Sequence, residues 1–325
     1  GTLGITPSTD ATVQVLIEED HHNDLTPRLS WAFIRHELQP ALTLRAGRMR
    51  APSFMHSDSL NVNFASPWVR PPIEVYSLHP FSELNGVDLL YRTRIGRLDV
   101  ELQPYLGSGS LRFPDGSASL NGSVGISADL RSGDLRLRLG HAQARFDLHY
   151  GDPLFLLARD SLVATGRGNL VSRLSGDDGR VSFSSVGFQW NHDALQLSGE
   201  LAYRRSSKLV SSGYGWHLTA TYQRGAFTPY LTLAQQTTSR PVLDGAVAHE
   251  PLIAAYLASR SVDQRSISIG VRWDIAVNAA LKLQWSRSRV RDDAWGAFFP
   301  VPEQALDTPA GKRLDVVNLT LDFVF

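Results

Sequence analysis

The stretch LDVVNLTLDFVF (residues 314–325) alternates apolar and polar side chains and stops on a phenylalanine. Its apolar positions are Val317, Leu319, Leu321, Phe323 and Phe325. A period of two predicts a β-strand with one apolar face, because successive side chains of a strand point to opposite sides. We therefore expect the chain to end inside a strand.

The same period recurs along the whole chain in segments of roughly ten residues, the length that a tilted strand needs to cross a bilayer. Residues 266–275, for example, place Ile, Ile, Val, Trp and Ile against Ser, Ser, Gly, Arg and Asp. We predict strands at about 11–17, 28–37, 41–50, 84–94, 97–107, 121–130, 135–145, 180–190, 194–205, 213–223, 227–238, 264–275, 280–291 and 314–325.

The predicted connections alternate between short and long. The short turns lie at 38–40, 95–97, 131–134, 191–193, 224–226 and 276–279. The long connections lie at 18–27, 51–83, 108–120, 146–179, 206–212, 239–263 and 292–313. Transmembrane β-barrels place short turns at one end and long loops at the other. Residues 1–5 resemble the tail of one more strand, so we predict a single barrel domain over 1–325 with sixteen strands, about fourteen of them complete.

Composition excludes several classes of protein. The 32 basic residues balance the 32 acidic ones, which argues against a nucleic-acid partner. No run of apolar residues approaches the length of a membrane-spanning helix. A water-soluble sandwich fits each strand alone equally well. It fits the total less well, because fourteen strands of one length, loops that alternate in length and a chain that ends inside a strand are together typical of a transmembrane barrel.

At the C-terminus the sequence resembles the last strand of Gram-negative outer-membrane proteins. In that family the alternating residues and terminal aromatic, here Val317, Leu319, Leu321, Phe323 and Phe325, form the signal that the assembly machinery recognises. LTLRAGRMRAP (42–52) looks like the strand before the inward-folding loop of general and DcaP-like porins, and GVRWD with ALKLQ (270–284) is also porin-like. The segment SPWVRPP (66–72) departs from the acidic loop motif of general porins.

The resemblance implies a porin in the outer membrane of a Gram-negative bacterium, a passive channel for small hydrophilic solutes. Residues 51–83 would then fold inward and narrow the pore. A homotrimer and contacts with outer-membrane lipid and lipopolysaccharide are implied by the resemblance alone. No cofactor is expected.

Charged side chains on the polar face are the candidates for lining the pore. On the wall these are Arg45, Arg92, Arg94, Arg136, Arg138, Arg204 and Arg272. On the predicted inward-folding loop, the candidates that could oppose these arginines are Asp58, Glu74 and Glu83. Counting Lys282, eight inward bases face six inward acids (Asp88, Asp99, Glu101, Glu200, Asp274, Asp322), which predicts a weak preference for anions. The same charges could instead pair between strands and only support the wall.

Four further interpretations concern other parts of the sequence. Residues 18–24 (EEDHHND) are rich in metal-ligand types, but the spacing fits no defined site and a solvated loop is the better interpretation. No nucleophile motif indicates an enzyme, so no catalytic residue is predicted. Long connections at 146–179 and 239–263, with a short helix expected at 153–162, could fold over the pore of a plugged or partner-bound barrel. Arg48 and Arg50 could turn inward or bind lipopolysaccharide phosphate at the rim.

Overall fold

In the part of the chain that the structure describes, the period-two segments fold into fifteen β-strands. A computed structural model describes residues 1–19, 24–113, 116–150, 153–297 and 310–324. The strands are β1 (Thr2–Thr6), β2 (Thr9–Glu19), β3 (Leu25–Gln39), β4 (Leu42–Arg50), β5 (Glu83–Ile95), β6 (Leu98–Phe113), β7 (Gly116–Ser132), β8 (Leu135–Tyr150), β9 (Gly179–His192), β10 (Leu195–Ser206), β11 (Ser212–Tyr222), β12 (Phe227–Arg240), β13 (Gln264–Ala276), β14 (Ala279–Val290) and β15 (Arg313–Phe323). The described residues of the connections include four α-helices: α1 (Ile73–Tyr76), α2 (Pro153–Ala164), α3 (Val171–Leu174) and α4 (Pro251–Ser259).

The strands form one antiparallel sheet in which each pairs with its neighbours in sequence, from β1 to β15. Such an up-and-down order needs no crossover connection, because each strand is joined to the next by a turn or loop, alternately at the two ends of the sheet. All fourteen predicted strands are present, and the tail at residues 1–5 is β1. The predicted all-β antiparallel class is confirmed, whereas the count of sixteen strands stays a prediction.

Connections differ at the two ends of the sheet. Two-residue turns join β5 to β6 and β7 to β8, and Gly96 and Gly133 adopt the positive φ that these turns require. The prediction of a long loop over 108–120 was wrong, since β6 and β7 continue through it with Gly109 opposite Leu120. The Gly/Ser-rich composition suggested a loop, but alternate Leu and Ala residues keep the pairing.

The two faces of the sheet follow the parity of the sequence. Exposed apolar side chains such as Leu201, Ile269 and Leu319 lie on the outward face. Charged side chains of opposite parity are buried on the inward face, including Asp88, which is 3% exposed, and Lys282, which is 0% exposed. An apolar exterior around a charged interior is the pattern of a strand sheet that faces lipid.

The long connections between β8 and β9 and between β12 and β13 pack together beyond the strands. The helix expected at 153–162 is confirmed as α2 (Pro153–Ala164). Its Ala158 and Leu162 are buried against Ile253 and Tyr256 of α4. Within the described residues, no helix has the length and hydropathy to cross a membrane.

Candidate channel lumen and the inner loop

Residues 51–82, the inner loop, connect β4 to β5 and lie on the inward face of the sheet. Near its start, the Ser53 carbonyl accepts a hydrogen bond from Ser185 Oγ of β9 at 2.7 Å. Further along, the Val69 amide donates to Gln284 Oε1 of β14 at 3.0 Å. A loop that leaves β4 and touches strands from β9 to β14 has the sheet curved around it. These contacts join the segment to strands far from β4 in the sequence, and its role in narrowing the pore stays a prediction.

Glu200 of β10 holds both ends of the inner loop. Its carboxylate accepts the Met55 amide at 2.8 Å and the Tyr76 hydroxyl at 2.6 Å. His217 Nε2 of β11 lies 3.4 Å from the same carboxylate. Glu200 is 4% exposed, and buried carboxylates require such donors. The position of Glu200 among the polar residues of its strand predicted an inward side chain, but the sequence gave no sign that the inner loop would bond to it.

The middle of the inner loop is held by two cations of the last hairpins. Lys282 of β14 donates to the Asn63 carbonyl and forms an ion pair with Asp322 of β15 at 2.8 Å. Arg272 of β13 donates to the Phe64 carbonyl, with its guanidinium 4.6 Å from the centre of the Phe64 ring. Both cations therefore donate hydrogen bonds to backbone carbonyls of the inner loop.

The end of the inner loop, including α1, is fixed on β11 to β13. Glu74 Oε1 accepts from Gln264 Nε2 of β13 at 2.8 Å. Ser77 Oγ donates to Gln236 Oε1 of β12 at 3.0 Å. A side chain at Gly215 of β11 would bring its Cβ to 1.9 Å from the Glu74 carbonyl oxygen. Only glycine permits this close approach.

Aromatic packing closes the base of the inner loop. The Phe54 and Tyr76 rings stack with 4.5 Å between centroids, and Phe183 of β9 lies edge-on to Phe54 at 5.2 Å. His79 packs on Phe183 at 5.1 Å. Burial lowers the pKa of His79 to about 4 and raises the pKa of Tyr76 well above its ordinary value. Both side chains are therefore neutral near pH 7, and Tyr76 keeps the proton that it donates to Glu200.

The opposite part of the inward face, on β4 to β8, carries a charged ladder of ten residues. Its members are Arg45, Asp88, Arg92, Arg94, Asp99, Glu101, Asp129, Arg131, Arg136 and Arg138. Neighbouring strands pair Arg45 with Asp88 at 2.5 Å, Arg92 with Glu101 at 2.6 Å and Arg94 with Asp99 at 2.5 Å. These charges therefore pair between neighbouring strands, as the alternative interpretation of the sequence predicted.

Asp129 is the point in the charged ladder where pairing is unequal. Arg131 and Arg136 approach its carboxylate at 2.7 and 2.6 Å, and Arg138 lies at 3.5 Å. One carboxylate therefore faces three guanidinium groups. A cavity of about 500 Å³ adjoins this point and is lined by members of the ladder from Arg92 to Arg131.

The remaining predicted site residues lie in different environments. Arg138 donates to the Pro52 carbonyl at 3.4 Å and Arg204 to the Ser211 carbonyl at 3.1 Å. Asp58 is exposed on the inner loop, whereas Glu74 is buried in its bond to Gln264.

Glu83 begins β5 and pairs with Arg28 at 2.6 Å and with the buried Arg50 at 3.4 Å. Arg50 therefore lies within a buried ion-pair network instead of the exposed rim. Arg48 lies opposite Asn85 in the β4–β5 pair.

Two predictions fall on residues outside the described part of the chain. Of the acidic and histidine-rich segment, residues 20–23 lie outside it. Phe325 of the predicted assembly signal lies outside it as well, while Val317, Leu319, Leu321 and Phe323 lie in β15 with exposed side chains.

Asp129 is missing from the six inward acids that were counted from the sequence. It lies two residues from Ser127 on the same face of β7, so the alternation of side chains could have identified it.

Comparison with known proteins gives a fold. No family model matches the chain, and no curated protein sequence matches it. Among solved structures it is similar to an anion-selective porin from Comamonas acidovorans, with TM-score 0.61, 13% identity and coverage of 100% of this chain and 87% of that one. The outer-membrane channel DcaP of Acinetobacter baumannii gives TM-score 0.61, 10% identity and coverage of 100% and 83%. Salmonella typhi OmpF, in complex with daunomycin, gives 0.57, 13%, 99% and 87%. The chain thus has the porin-like barrel fold of Gram-negative outer-membrane proteins, as its last strand predicted.

Proposed function

We propose that this protein is an outer-membrane porin of a Gram-negative bacterium, a passive diffusion channel for small hydrophilic solutes with a weak preference for anions. The observation that carries the proposal is the position of the inner loop. Most of its contacts are with β9 through β14, and Arg138 is the member of the charged ladder that bonds to it, so we infer that the rest of the ladder on β4 to β8 faces the lumen. Wet, charged walls beside a loop are the parts from which selective pores are built.

The preference for anions follows from the balance of charge along the ladder. Its six arginines exceed its four carboxylates by two, and the excess is concentrated at Asp129. Arg131 has an exposed side chain, at 58%, so its charge is available to a passing solute. A positive potential in a narrow, water-filled space raises the local concentration of anions. The similar fold of the anion-selective porin from Comamonas acidovorans is consistent with this proposal.

Association as a homotrimer, contact with outer-membrane lipid and lipopolysaccharide, and the absence of enzymatic activity belong to the same proposal. They rest on the similarity of fold. The competing candidate is a plugged or partner-bound barrel, which the burial of the inner loop and the packed outer helices make worth testing.

Conductance of the purified chain in planar bilayers tests the proposal. We expect stepwise currents and, in a potassium chloride gradient, a reversal potential that favours chloride. Arg131→Gln should reduce the chloride preference, and Asp129→Asn should increase it. Arg287→Gln is the matched control, because Arg287 pairs with Asp315 on the outward face at 2.9 Å. Absence of current steps would refute the open channel and favour the plugged barrel, and preferential passage of potassium would refute the preference for anions.

A further inference from the structure

Two aromatic side chains on the inward face of β3 stay partly exposed. Trp31 and Phe33 lie two residues apart on this strand, with 6.3 Å between their ring centroids. The other inward aromatic rings that the structure describes on the strands are at most 8% exposed, namely those of Tyr105, Phe146, Phe183 and Tyr230. Among the described strand residues, Trp31 and Phe33 are therefore the aromatic rings that a solute in the lumen can reach.

The alternation of side chains places this pair on the inward face. Ile34, which follows Phe33, is 52% exposed and belongs to the apolar outward face. The Arg45 guanidinium lies 5.4 Å from the centre of the Phe33 ring, and Arg45 pairs with the buried Asp88 of the charged ladder. Side chains two residues apart on a strand point to the same face. Trp31 therefore faces the lumen together with Phe33.

Polar side chains flank the aromatic pair on the neighbouring strands. Towards the short turn, Arg35 pairs with Asp10 of β2 at 2.7 Å, and the Arg35 side chain is 47% exposed. Gln14 of β2 lies directly opposite Trp31. We call the following five residues the aromatic patch: Gln14, Trp31, Phe33, Arg35 and Arg45.

The inner loop comes near the aromatic patch but leaves it uncovered by specific contacts. The Asp58 carboxylate of the loop is close enough to attract the Arg45 guanidinium electrostatically. Among the described residues, no hydrogen bond, ion pair or ring contact joins the inner loop to the patch. The patch therefore lies on the wall that faces the loop, beside the space through which a solute would pass.

Two polar atoms of the aromatic patch have no hydrogen-bond partner within the described part of the chain. They are Oε1 of Gln14, an acceptor, and Nε1 of Trp31, a donor. Their residues are directly opposite each other in the β2–β3 pair. A shielded polar atom without a partner is destabilising. A hydroxyl group both donates and accepts, so one hydroxyl inserted between the two side chains would satisfy both atoms.

We propose that the aromatic patch binds a saccharide as it passes through the lumen. The C–H face of a sugar ring is apolar and packs on aromatic rings, and its hydroxyl groups bond to amide, guanidinium and carboxylate groups. Binding sites for such solutes combine aromatic surface with a few polar groups that fix orientation. The aromatic patch offers both on one wall. This inference rests on the proposed function, because it names a class of solute for the same channel.

Calorimetric titration of the full chain in detergent micelles tests the inference without requiring conductance. The probes are maltotriose and cellotriose, a bent and a straight trisaccharide of glucose, and a polyethylene glycol of similar mass is the control solute. We expect at least one trisaccharide to bind, and Trp31→Ala to weaken its binding roughly tenfold. Trp31→Phe keeps a ring but loses the donor, so its affinity should lie between the two. Gln14→Leu removes the acceptor and should weaken binding roughly fivefold.

A matched control is Trp273→Ala, which removes the same type of side chain from the outward face, where Trp273 is 42% exposed. Its affinity for the trisaccharide should equal that of the unmodified chain. The Trp31→Phe and Gln14→Leu variants keep the inference testable if Trp31→Ala does not fold. Equal affinity of the Trp31 and Gln14 variants and the unmodified chain overturns the inference. Binding of neither trisaccharide overturns it as well, and so does equal binding of polyethylene glycol, which would indicate unspecific occupation of the lumen.

Conductance in planar bilayers separates this inference from the proposed function. Added trisaccharide should reduce the ion current through the unmodified chain, and the reduction should weaken in the same order of variants. Binding by a chain that does not conduct would count against the channel alone. A chain that conducts but binds neither trisaccharide would count against the saccharide site alone.

Discussion

Replacement of Glu200 by alanine should release the inner loop. In the structure its carboxylate accepts the Met55 amide at 2.8 Å and the Tyr76 hydroxyl at 2.6 Å. Each buried donor left without an acceptor costs about 1–3 kcal/mol. Water from the lumen can enter the space that alanine leaves, so we expect the lower end, about 2 kcal/mol for the two donors together. The inner loop should therefore be held against the strands less stably by that amount.

Hydrogen exchange of amides within the inner loop measures this change directly. The Ser77 and Leu78 amides donate inside the loop, to Ile73 and Val75, so the substitution does not remove their own hydrogen bonds. A loss of about 2 kcal/mol corresponds to roughly 30-fold faster exchange. Single-channel records should show larger current noise, because the loop would move during conduction.

A matched control is Glu101→Ala, which removes a carboxylate from the same inward face, where Glu101 pairs with Arg92 at 2.6 Å. Exchange at Ser77 and Leu78 should be unchanged in this variant. Exchange within about twofold of the unmodified chain in Glu200→Ala would refute the reasoning, since twofold corresponds to well under 1 kcal/mol. The remaining contacts of the loop would then be sufficient to hold it.

Three further predictions concern the loops. Arg167→Ala removes both hydrogen bonds to Glu250 that join the outer connections, so limited proteolysis there should be faster, with no change in melting temperature, since exposed ion pairs contribute little. The pKa of His79 is lowered to about 4 from 6.5, so the stability that neutral His79 contributes is complete above about pH 6.5 and is lost as the pH falls towards 4. The free energy of unfolding should fall by at most about 3 kcal/mol over this range. In His79→Phe this part of the pH dependence should be absent when denaturant titrations at about pH 7 and pH 4 are compared. Gly215→Ala would place a Cβ 1.9 Å from the Glu74 carbonyl oxygen, so α1 must move and the single-channel conductance should change; an unchanged conductance would contradict the close approach.

Much of the fold could be predicted from the alternation of side chains. The period of two in residues 264–276 and 279–290 specifies both strands and their outward faces, because an error of one residue would place Trp273 and Leu283 inside. The loop predicted over 108–120 was wrong, because the glycines and serines there fit both a loop and a bulged hairpin, and only the pairing partners distinguish the two.

The candidate site could be predicted only in part. Parity places Glu200 and Lys282 on the inward face but says nothing of partners 145 and 219 residues away. Glu74 was chosen from the sequence as a candidate for lining the pore, but its bond to Gln264 could not be foreseen from the sequence. Where a loop settles depends on which acceptors and donors the far wall offers, and that is a property of the assembled sheet.

The distant anchors of the inner loop also set when the lumen can narrow during folding. The Asn63 carbonyl meets Lys282, which in turn pairs with Asp322 of the last strand. Contacts at such separation form late, since the chain between them must first be ordered. A nascent barrel that lacks its final hairpin would therefore leave the middle of the inner loop, residues 63–69, without its anchors. Docking of this middle segment then reports that the last strand is in place, so arrested assembly intermediates should be cleaved there by protease while complete barrels are protected.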